Sequence, residues 1–264
     1  MPEYEFSEAT GVGGDLWRFG VMEERRSSRK PAKGWLIPAI VVLVVLALSV
    51  IALTGGSRSK VSTSATTGGA TALEPAQPPS LARRIPGDPL ALGSVNAPVV
   101  LVEYSEFQCP FCGMFTRNTQ PTLIKKYVAN GTLRIEWRDF PYLGPESTTA
   151  ALASRAAANQ GKFWQYHDAL FAHQFSPNSN HLTVPYLTGI ATTLGLDLEK
   201  FKTDMNSAST KDAVATDFSE GQSIGVTGTP SFLVNSTPIV GAQPLQVFEQ
   251  AIDLAAAQAS KKTQ

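Results

Sequence analysis

The sequence predicts an α/β fold with an inserted block of helices, and three observations lead to this prediction. An apolar, β-branched stretch at residues 97–105 leads into Cys109-Pro110-Phe111-Cys112 at the start of a helix. A second strand and a run of helical segments follow. Two short strands and a final helix close the pattern. The resulting order is β, α, β, a block of helices, β, β, α, with the cysteine pair at a strand–helix junction.

Clear sequence signals define the β-α-β segment at the start of the fold. Residues 97–105 are predicted as a central strand, and residues 109–129 as a helix with Pro110 in its first turn. Pro121 lies inside this helix, where its ring is expected to cause a kink. Residues 133–139 alternate between apolar and polar side chains and are predicted as the second strand.

The middle of the domain is rich in alanine and other strong helix formers, which predicts several helices. They are expected at residues 146–160, 162–173, 184–194, 197–205 and 207–223. Two strands and an amphipathic helix follow at residues 231–234, 238–240 and 244–259. Together with the β-α-β start, this ββα tail makes a thioredoxin-like arrangement, into which a helical domain at about residues 146–223 is inserted.

The chain ahead of this domain differs from it in composition. Residues 1–34 are polar and aperiodic, which predicts a disordered tail. Residues 35–53 carry no charge, and as a helix they would span about 28 Å, the thickness of a bilayer core. Arginines and lysines just before this run predict a transmembrane signal anchor with a cytoplasmic N-terminus. A cleaved signal peptide is the alternative, and the long polar segment before the apolar run disfavours it.

Residues 54–84 are mainly Gly, Ser, Thr, Ala and Pro, which predicts a flexible linker between the anchor and a domain at residues 85–260. With this topology the domain would lie outside the membrane. The formal net charge of the chain is zero, so its charge does not indicate a nucleic-acid partner. No dimerisation segment is apparent in the sequence, and we expect a monomer.

The chain has two cysteines, and they lie three residues apart in one C-x-x-C. This spacing is typical of reversible dithiol–disulfide exchange, in which one sulfur attacks a disulfide and the other resolves the mixed disulfide. A structural disulfide, two unrelated buried thiols and a zinc site are the alternatives. Zinc requires further ligands, and the spacing of the histidines does not fit such a site: His167, His173 and His181. We therefore expect no metal and no cofactor.

Position along the predicted elements assigns roles at the cysteine motif. Cys109 would lie at a helix N-terminus, which stabilises a thiolate, so it is expected to be the exposed nucleophile. Cys112 is then the more buried, resolving thiol. Pro110 and Phe111 bring no side-chain donor to the thiolate. Glu103 is a carboxylate within an apolar strand, and two interpretations stay open: a general base with a raised pKa, or a solvent-facing residue at the strand's edge.

Two further features lie near the ends of predicted strands. Glu106, in the loop before the cysteine motif, is a weaker candidate for acid–base chemistry and is expected to be solvated. Thr229-Pro230 comes directly before a predicted strand, where Pro230 on its own would be a strand-start proline.

Four segments of the chain resemble the DsbA-like thiol–disulfide oxidoreductases of the thioredoxin superfamily, in the family's order. They are EYSEFQCPFC (103–112), WRDFP (137–141), AALASRAAANQGKFWQYHDALF (150–171) and GVTGTPSFLVN (225–235). The resemblance implies that Cys109 and Cys112 form a redox-active disulfide with Cys109 as the attacking sulfur. It also implies that Glu103 is a buried acid that serves the pair.

The same resemblance implies a substrate-binding surface. Pro230 matches a cis-proline that faces the dithiol, and the backbone of Thr229 would pair with the substrate peptide. Pro110 and Phe111 would line the same surface. One position departs from the family: its best-known members have His as the third motif residue, where this chain has Phe111. Their oxidising power depends on that His, so the direction of catalysis stays open here.

These implications lead to an expected function. We expect an enzyme of the bacterial cell membrane, single-pass and with an extracytoplasmic catalytic domain, that forms disulfides in exported proteins. Its partners would be exported thiol-containing proteins and a membrane protein that reoxidises it, similar to DsbB or to vitamin-K-epoxide reductase (VKOR). Two alternatives stay open: an extracytoplasmic disulfide reductase, and a non-catalytic thioredoxin-like binding or chaperone module.

Overall fold

A computed structural model describes residues 80–262 as a mixed β-sheet with helices on both faces. The sheet consists of β1 (Ala91–Leu92), β2 (Val99–Ser105), β3 (Leu133–Asp139), β4 (Ser231–Val234) and β5 (Thr237–Val240). The order across the sheet is β1-β3-β2-β4-β5. β2 and β3 run parallel, and the other neighbouring pairs are antiparallel. β2 therefore lies at the centre of the sheet, with hydrogen-bonded neighbours on both sides.

Helices account for most of the remaining chain between residues 80 and 262. They are α1 (Pro110–Asn118), α2 (Gln120–Leu123), α3 (Pro145–Ala158), α4 (Phe163–Ala172), α5 (Val184–Thr193), α6 (Leu198–Asn206), α7 (Ala208–Ser223) and α8 (Leu245–Lys262). A π-helical turn, Ile124–Val128, continues α2. Helices α3 to α7 form the insertion between β3 and β4.

Alternate side chains of β2 point into two different cores. Val99 and Leu101 pack in the larger core, together with Phe115 of α1. Val100 and Val102 pack in a smaller core on the opposite face of the sheet, under α7. This is the two-residue period of a strand buried on both faces. It follows that the next odd-numbered side chains of β2 point to the face that carries α1.

The observed elements follow the predicted order, with one addition. The single kinked helix predicted at residues 109–129 is divided, because α1 ends at Asn118 and the chain continues as α2, with Pro121 in its first turn. The addition is β1, which pairs with β3 at the edge of the sheet. Its two residues are too few to show a period, so no pattern in the sequence indicated this strand.

The segments ahead of the domain lie largely outside the described residues. This holds for the predicted tail at residues 1–34, the predicted anchor at residues 35–53 and most of the predicted linker. Among residues 80–262, no helix is long and apolar enough to cross a membrane. The transmembrane anchor at residues 35–53 therefore stays a prediction.

The last residues of the predicted linker require a correction, because residues 81–84 pack against the domain. The backbone N–H groups of Arg83 and Arg84 donate to the carboxylate of Glu136, each at 2.9 Å. The guanidinium of Arg84 also donates to two backbone carbonyls in the loop before β2. Polar residues that suggested a solvated linker are instead the partners of a buried acid.

Candidate active site

Cys109 lies at the N-terminus of α1, beside the loop that precedes β4. Its backbone is extended (φ −72°, ψ 117°), and its carbonyl accepts a hydrogen bond from the Gly113 N–H at 3.2 Å. Its thiol donates to the carbonyl oxygen of Thr229, with 3.2 Å between Sγ and O. Both cysteines are free thiols and both are buried, Cys112 completely. This corrects the expectation that Cys109 is exposed, since the Thr229 loop and α1 leave only 2% of it accessible. The fold thus brings together the cysteine motif and Thr229, which are 120 residues apart in the chain.

The two thiols differ in their electrostatic environment. The pKa of Cys109 is lowered to about 6, and the main cause is a hydrogen bond from the Cys112 thiol. Burial acts in the opposite direction and raises this pKa. Thr229 and the backbone N–H groups of Phe111 and Cys112 lower it further. Burial raises the pKa of Cys112 well above its usual range. The hydrogen bond to Cys109 and the negative charge of Cys109 raise the pKa of Cys112 further. At neutral pH the reduced pair therefore carries one thiolate, and that thiolate is on Cys109.

The peptide bond between Thr229 and Pro230 is cis, as the resemblance implies. Hydrogen bonds on either side hold this loop in place. Ser231 Oγ donates to the carbonyl of Gly228 at 2.7 Å, and the Gly241 N–H after β5 donates to the carbonyl of Pro230 at 2.8 Å. These contacts position the Thr229 carbonyl next to the Cys109 sulfur.

Exposed apolar side chains lie next to the buried thiol. Pro110 occupies the first turn of α1, where its missing N–H costs least. Phe111 is 58 % exposed, and Met114 is also exposed. Tyr142, in the loop after β3, is exposed as well. Partial burial is the main cause that raises the pKa of Tyr142, and the charge of Cys109 raises it further. Sequence analysis did not single out Tyr142, because no motif links the β3 loop to the cysteine helix.

Glu103 lies at the centre of the sheet, fully buried between Trp137 of β3 and Phe232 of β4 in the strand register. The solvent-facing alternative for this residue is therefore wrong. Burial raises the pKa of Glu103 to about 8, and the Ser105 hydroxyl offsets this only in part. Neither carboxyl oxygen has a hydrogen-bond partner among residues 80–262. An acid in this environment is protonated at neutral pH and can donate its proton.

Glu106 is a second buried acid at the site, which corrects the expectation that it is solvated. Only 2 % of its surface is exposed, and one carboxyl oxygen accepts a hydrogen bond from Ser147 of α3. Burial raises the pKa of Glu106 to about 7; the Ser147 bond lowers it, and the charge of Cys109 raises it. The burial comes from α3, which is distant in sequence, so the local polarity of the loop gave no indication of it.

Side chains of the helical insertion hold the loop that carries the cysteines. Gln174, just after α4, donates to the carbonyls of Phe107 and Cys109, each at 3.0 Å. Gln108 donates to Ser147 at 2.8 Å and accepts from the Asn178 N–H at 2.7 Å. Sequence analysis missed this set of contacts, since glutamine and asparagine in loops carry no distinctive pattern.

The histidines lie away from a metal-binding arrangement. His167 is buried and packs edge-on against Trp137 and Phe171. His181 stacks on Phe175, and His173 directly follows α4. Within residues 80–262, no group of three or more His, Cys, Asp and Glu side chains is placed to hold a metal ion.

Comparison with known proteins agrees with this geometry. A model of the thioredoxin family, described as "Thioredoxin", matches residues 86–254. The chain is 32% identical over 149 residues to a probable disulfide bond formation protein D of Bacillus cereus, covering 55% of this chain and 69% of that protein. It is also 33% identical over 162 residues to a Na(+)/H(+) antiporter NhaA 3 of Salinispora tropica. That match covers 61% of this chain and 24% of the antiporter, so the chain spans about a quarter of its length.

Among solved structures, alpha-DsbA1 of Wolbachia pipientis is similar, with a TM-score of 0.61 at 26% sequence identity. The match covers 68% of this chain and 96% of that protein. The fold, the cysteine pair at a helix N-terminus and these matches agree. The chain belongs to the thioredoxin family, and within it to the DsbA-like thiol–disulfide oxidoreductases.

Proposed function

We propose that this protein is a membrane-anchored thiol–disulfide oxidoreductase that forms disulfides in exported proteins by exchange at Cys109 and Cys112. The observation that carries the proposal is the asymmetry of the two thiols. Cys109 has a lowered pKa and lies beside an exposed apolar surface, whereas Cys112 is fully buried with a raised pKa. The Cys109 sulfur is thus suited to attack a substrate disulfide and to leave as a thiolate. The Cys112 sulfur is suited to the exchange within the cysteine pair.

The proposed reaction begins with the oxidised pair. A substrate thiolate attacks Cys109 Sγ, the bond between Cys109 and Cys112 breaks, and Cys112 leaves as a thiolate that takes up a proton. A second substrate thiolate then attacks the substrate sulfur of the mixed disulfide. The substrate disulfide forms, and Cys109 leaves as a thiolate. The lowered pKa of Cys109 favours this last departure, because thiolates of lower pKa leave faster.

The surface next to Cys109 supports an unfolded peptide as the substrate. Phe111, Met114 and Tyr142 offer exposed apolar contacts, and the Thr229 backbone lies beside the sulfur. A peptide bound in an extended conformation would use the backbone groups of Thr229 and rest on these side chains and on Pro230.

Location and partners form the second part of the proposal. The apolar run at residues 35–53 would anchor the chain with its N-terminus in the cytoplasm, and the domain would lie in an oxidising space outside. Each cycle leaves the pair reduced, so a membrane protein of the DsbB or VKOR type would reoxidise it. The names of relatives, a disulfide bond formation protein and a DsbA, support the disulfide-forming direction.

Other functions have less support. The match to the Salinispora tropica antiporter covers only 24% of that protein, so we do not propose ion transport. A reductase would use the same residues in the reverse direction. Phe111 favours this alternative more than a histidine would, because its side chain cannot donate a hydrogen bond to the thiolate. A non-catalytic binding module would not require the pKa difference between the thiols.

Oxidative folding of a reduced, disulfide-containing substrate by the purified chain tests the activity. Oxidised protein should form substrate disulfides, Cys109→Ala should abolish the reaction, and Cys112→Ala should accumulate a mixed disulfide at Cys109. Full activity of Cys109→Ala would show that the cysteine pair is not the reacting group. For location, a membrane-impermeant thiol reagent added to intact, pre-reduced cells should label Cys109, and labelling only after lysis would refute the extracytoplasmic placement.

A further inference from the structure

Five buried oxygen atoms near the cysteine pair have no hydrogen-bond partner among residues 80–262, namely Glu106 Oε1, Thr229 Oγ1 and three atoms on β2. The three on β2 are the ones that matter here. They are both carboxyl oxygens of Glu103 and the hydroxyl oxygen of Ser105. Both residues have no exposed surface. An orphaned polar group in a protein interior costs about 1–3 kcal/mol, so such groups are retained where they serve a function or bind an unseen partner.

The strand geometry places these groups together. Glu103 and Ser105 are two residues apart on β2, so their side chains point to the same face of the sheet. That is the face on which α1 packs, because Leu101 shares a core cluster with Cys112 and Phe115. The Ser105 hydroxyl lowers the pKa of both Glu103 and Cys112, against the larger effect of burial, so it lies within interaction range of both groups.

Other acids near Ser105 are already engaged. Asp139 is opposite Ser105 in the register of β3, but its carboxylate accepts from Trp137 Nε1 at 2.8 Å and from Arg155 Nε at 2.5 Å. The β4 residue opposite Glu103 is Phe232, which is apolar. Other titratable groups at this site include Cys109, Tyr142 and Glu106. One carboxyl oxygen of Glu106 accepts from Ser147 of α3, and its other oxygen has no partner among residues 80–262. Glu106 follows the end of β2, whereas Glu103 shares a strand face with Ser105, so Glu103 is the acid placed to exchange a proton through Ser105.

We propose that Ser105 is a proton relay between the buried acid Glu103 and the resolving thiol Cys112. This role rests on the proposed thiol–disulfide exchange and adds a residue to it. When a substrate thiolate breaks the bond between Cys109 and Cys112, the Cys112 thiolate accepts the Ser105 hydroxyl proton, and Ser105 takes the carboxyl proton of Glu103.

In the reverse step the proton moves the other way. This step uses the ionised form of Glu103, which the forward step leaves behind and which becomes more abundant as the pH rises towards 8. Cys112 loses its proton to Ser105, Ser105 passes one to the Glu103 carboxylate, and the Cys112 thiolate attacks Cys109 Sγ. The bond between Cys109 and Cys112 forms, and the partner sulfur leaves as a thiolate with the electrons of the broken bond. The relay is needed because Cys112 and Glu103 are both inaccessible to solvent.

The test separates the two thiols in time. The reduced 264-residue chain is mixed with an aromatic disulfide that releases a coloured thiolate, and release is followed by stopped flow. The first equivalent reports attack by Cys109, and the second reports resolution by Cys112. Variants Ser105→Ala and Glu103→Gln are compared with the control Ser154→Ala, which removes a buried hydroxyl of α3 that bonds only to the Ala151 carbonyl.

The relay predicts that Ser105→Ala leaves the first phase within about 2-fold and slows the second by at least about 10-fold, moving its pH dependence upward. Glu103→Gln should act in the same way, and the double variant should be no slower than Glu103→Gln alone, because both variants interrupt one path. Ser105→Thr, which keeps the hydroxyl, should restore the second phase. Ser154→Ala should change neither phase.

Two results would overturn the relay. One is a rate of the second phase in folded Ser105→Ala that equals the wild-type rate from about pH 5 to about pH 9. The other is a double variant in which the slowing of the second phase equals the combined slowing caused by Ser105→Ala and Glu103→Gln separately. If the wild type itself released no second equivalent, the proposed exchange function would fail instead, so the two failures are distinguishable.

Discussion

Cys109 and Cys112 are chemically identical side chains that their surroundings make different. The first lies at a helix N-terminus, where the Cys112 thiol and backbone N–H groups of α1 bond to its sulfur. The second lies one turn further, in the larger core, where burial disfavours its charge. Because the Cys112 thiol supplies the largest stabilisation of the Cys109 thiolate, each residue depends on the other for its role.

The pH dependence of alkylation tests this asymmetry. Since the pKa of Cys109 is lowered to about 6, its thiolate is present above that pH and is lost as the pH falls through it. Iodoacetamide should therefore modify Cys109 with a half-maximal rate near pH 6, while Cys112 stays unmodified. Cys112→Ala removes the main stabilising bond and should move the half-point to higher pH. Modification of Cys112 before Cys109 would contradict the assigned roles.

Glu103 should reduce the stability of the fold at neutral pH. Its pKa is raised to about 8 in the folded state, so stability is greatest below the pKa of the unfolded state and is lost as the pH rises towards 8. Glu103→Gln should therefore increase the free energy of unfolding by on the order of 2–3 kcal/mol at about pH 7, and by little near pH 4.

Urea unfolding at these two pH values measures the effect. Glu199→Gln is the control, because the Glu199 side chain is 89% exposed and its ion pair with Lys202 should contribute little. A loss of stability in Glu103→Gln at neutral pH would show that the buried carboxyl is ionised or bonded in the folded protein.

At the scale of elements, the catalytic loop depends on the helical insertion. Gln174 bonds to the carbonyls on both sides of the cysteine loop, and its own carbonyl accepts from Arg117 Nη1 of α1 at 3.1 Å. Gly113 permits this approach, because a Cβ atom there would lie 1.9 Å from Gln174 Oε1. The insertion therefore fixes the backbone position of Cys109 as well as covering the site.

Gln174→Ala tests this dependence against a matched residue. Gln160 makes a similar pair of bonds to the backbone of Asp197, away from the cysteine loop. Both variants should lose about 1–2 kcal/mol of stability. Only Gln174→Ala should change the alkylation rate of Cys109 and the hydrogen-exchange protection of the loop before α1. Equal effects of both variants on Cys109 would show that the insertion does not position it.

The elements themselves were largely predictable from sequence, and the site was predictable in part. Strands β2, β3 and β4 show clear apolar or alternating patterns, and the cysteine spacing indicated the pair that we propose to react. The burial of Glu106 was not predictable, because α3 covers it from a distant part of the chain. The same reason applies to residues 81–84, whose arginines meet an acid more than 50 residues away. Long-range contacts of polar residues leave no local period.

For the molecule as a whole, a buried network of charges joins the N-terminal segment to the sheet and to α7. Glu136 of β3 accepts from Arg134 Nε at 2.8 Å and from Arg138 Nη2 at 2.9 Å. Arg138 and Arg83 both reach Glu220 of α7. The segment that leads from the predicted anchor is thereby fixed to the domain, on the face opposite the cysteines.

Glu136→Gln should destabilise the whole domain. Burial alone would raise the pKa of Glu136, but Arg134 and the surrounding donors lower it to about 2. The contribution of Glu136 to the stability of the fold is therefore present above the pKa of the unfolded state, and it is lost as the pH falls towards 2. Leaving buried arginines unpaired should cost about 3 kcal/mol at neutral pH. Glu249→Gln, which breaks the exposed pair with Lys126, should cost much less, because solvent screens exposed ion pairs. Equal losses would contradict a structural role of the network.

The reduction potential of the Cys109–Cys112 pair tests the central claim most directly. The 264-residue chain would be equilibrated in glutathione buffers, and its free thiols trapped and counted. The lowered pKa of Cys109 stabilises the reduced pair at neutral pH and so raises the potential. A disulfide-forming enzyme predicts a value of about −120 to −180 mV, whereas about −230 to −270 mV would place the protein with the reductants and contradict the proposed direction.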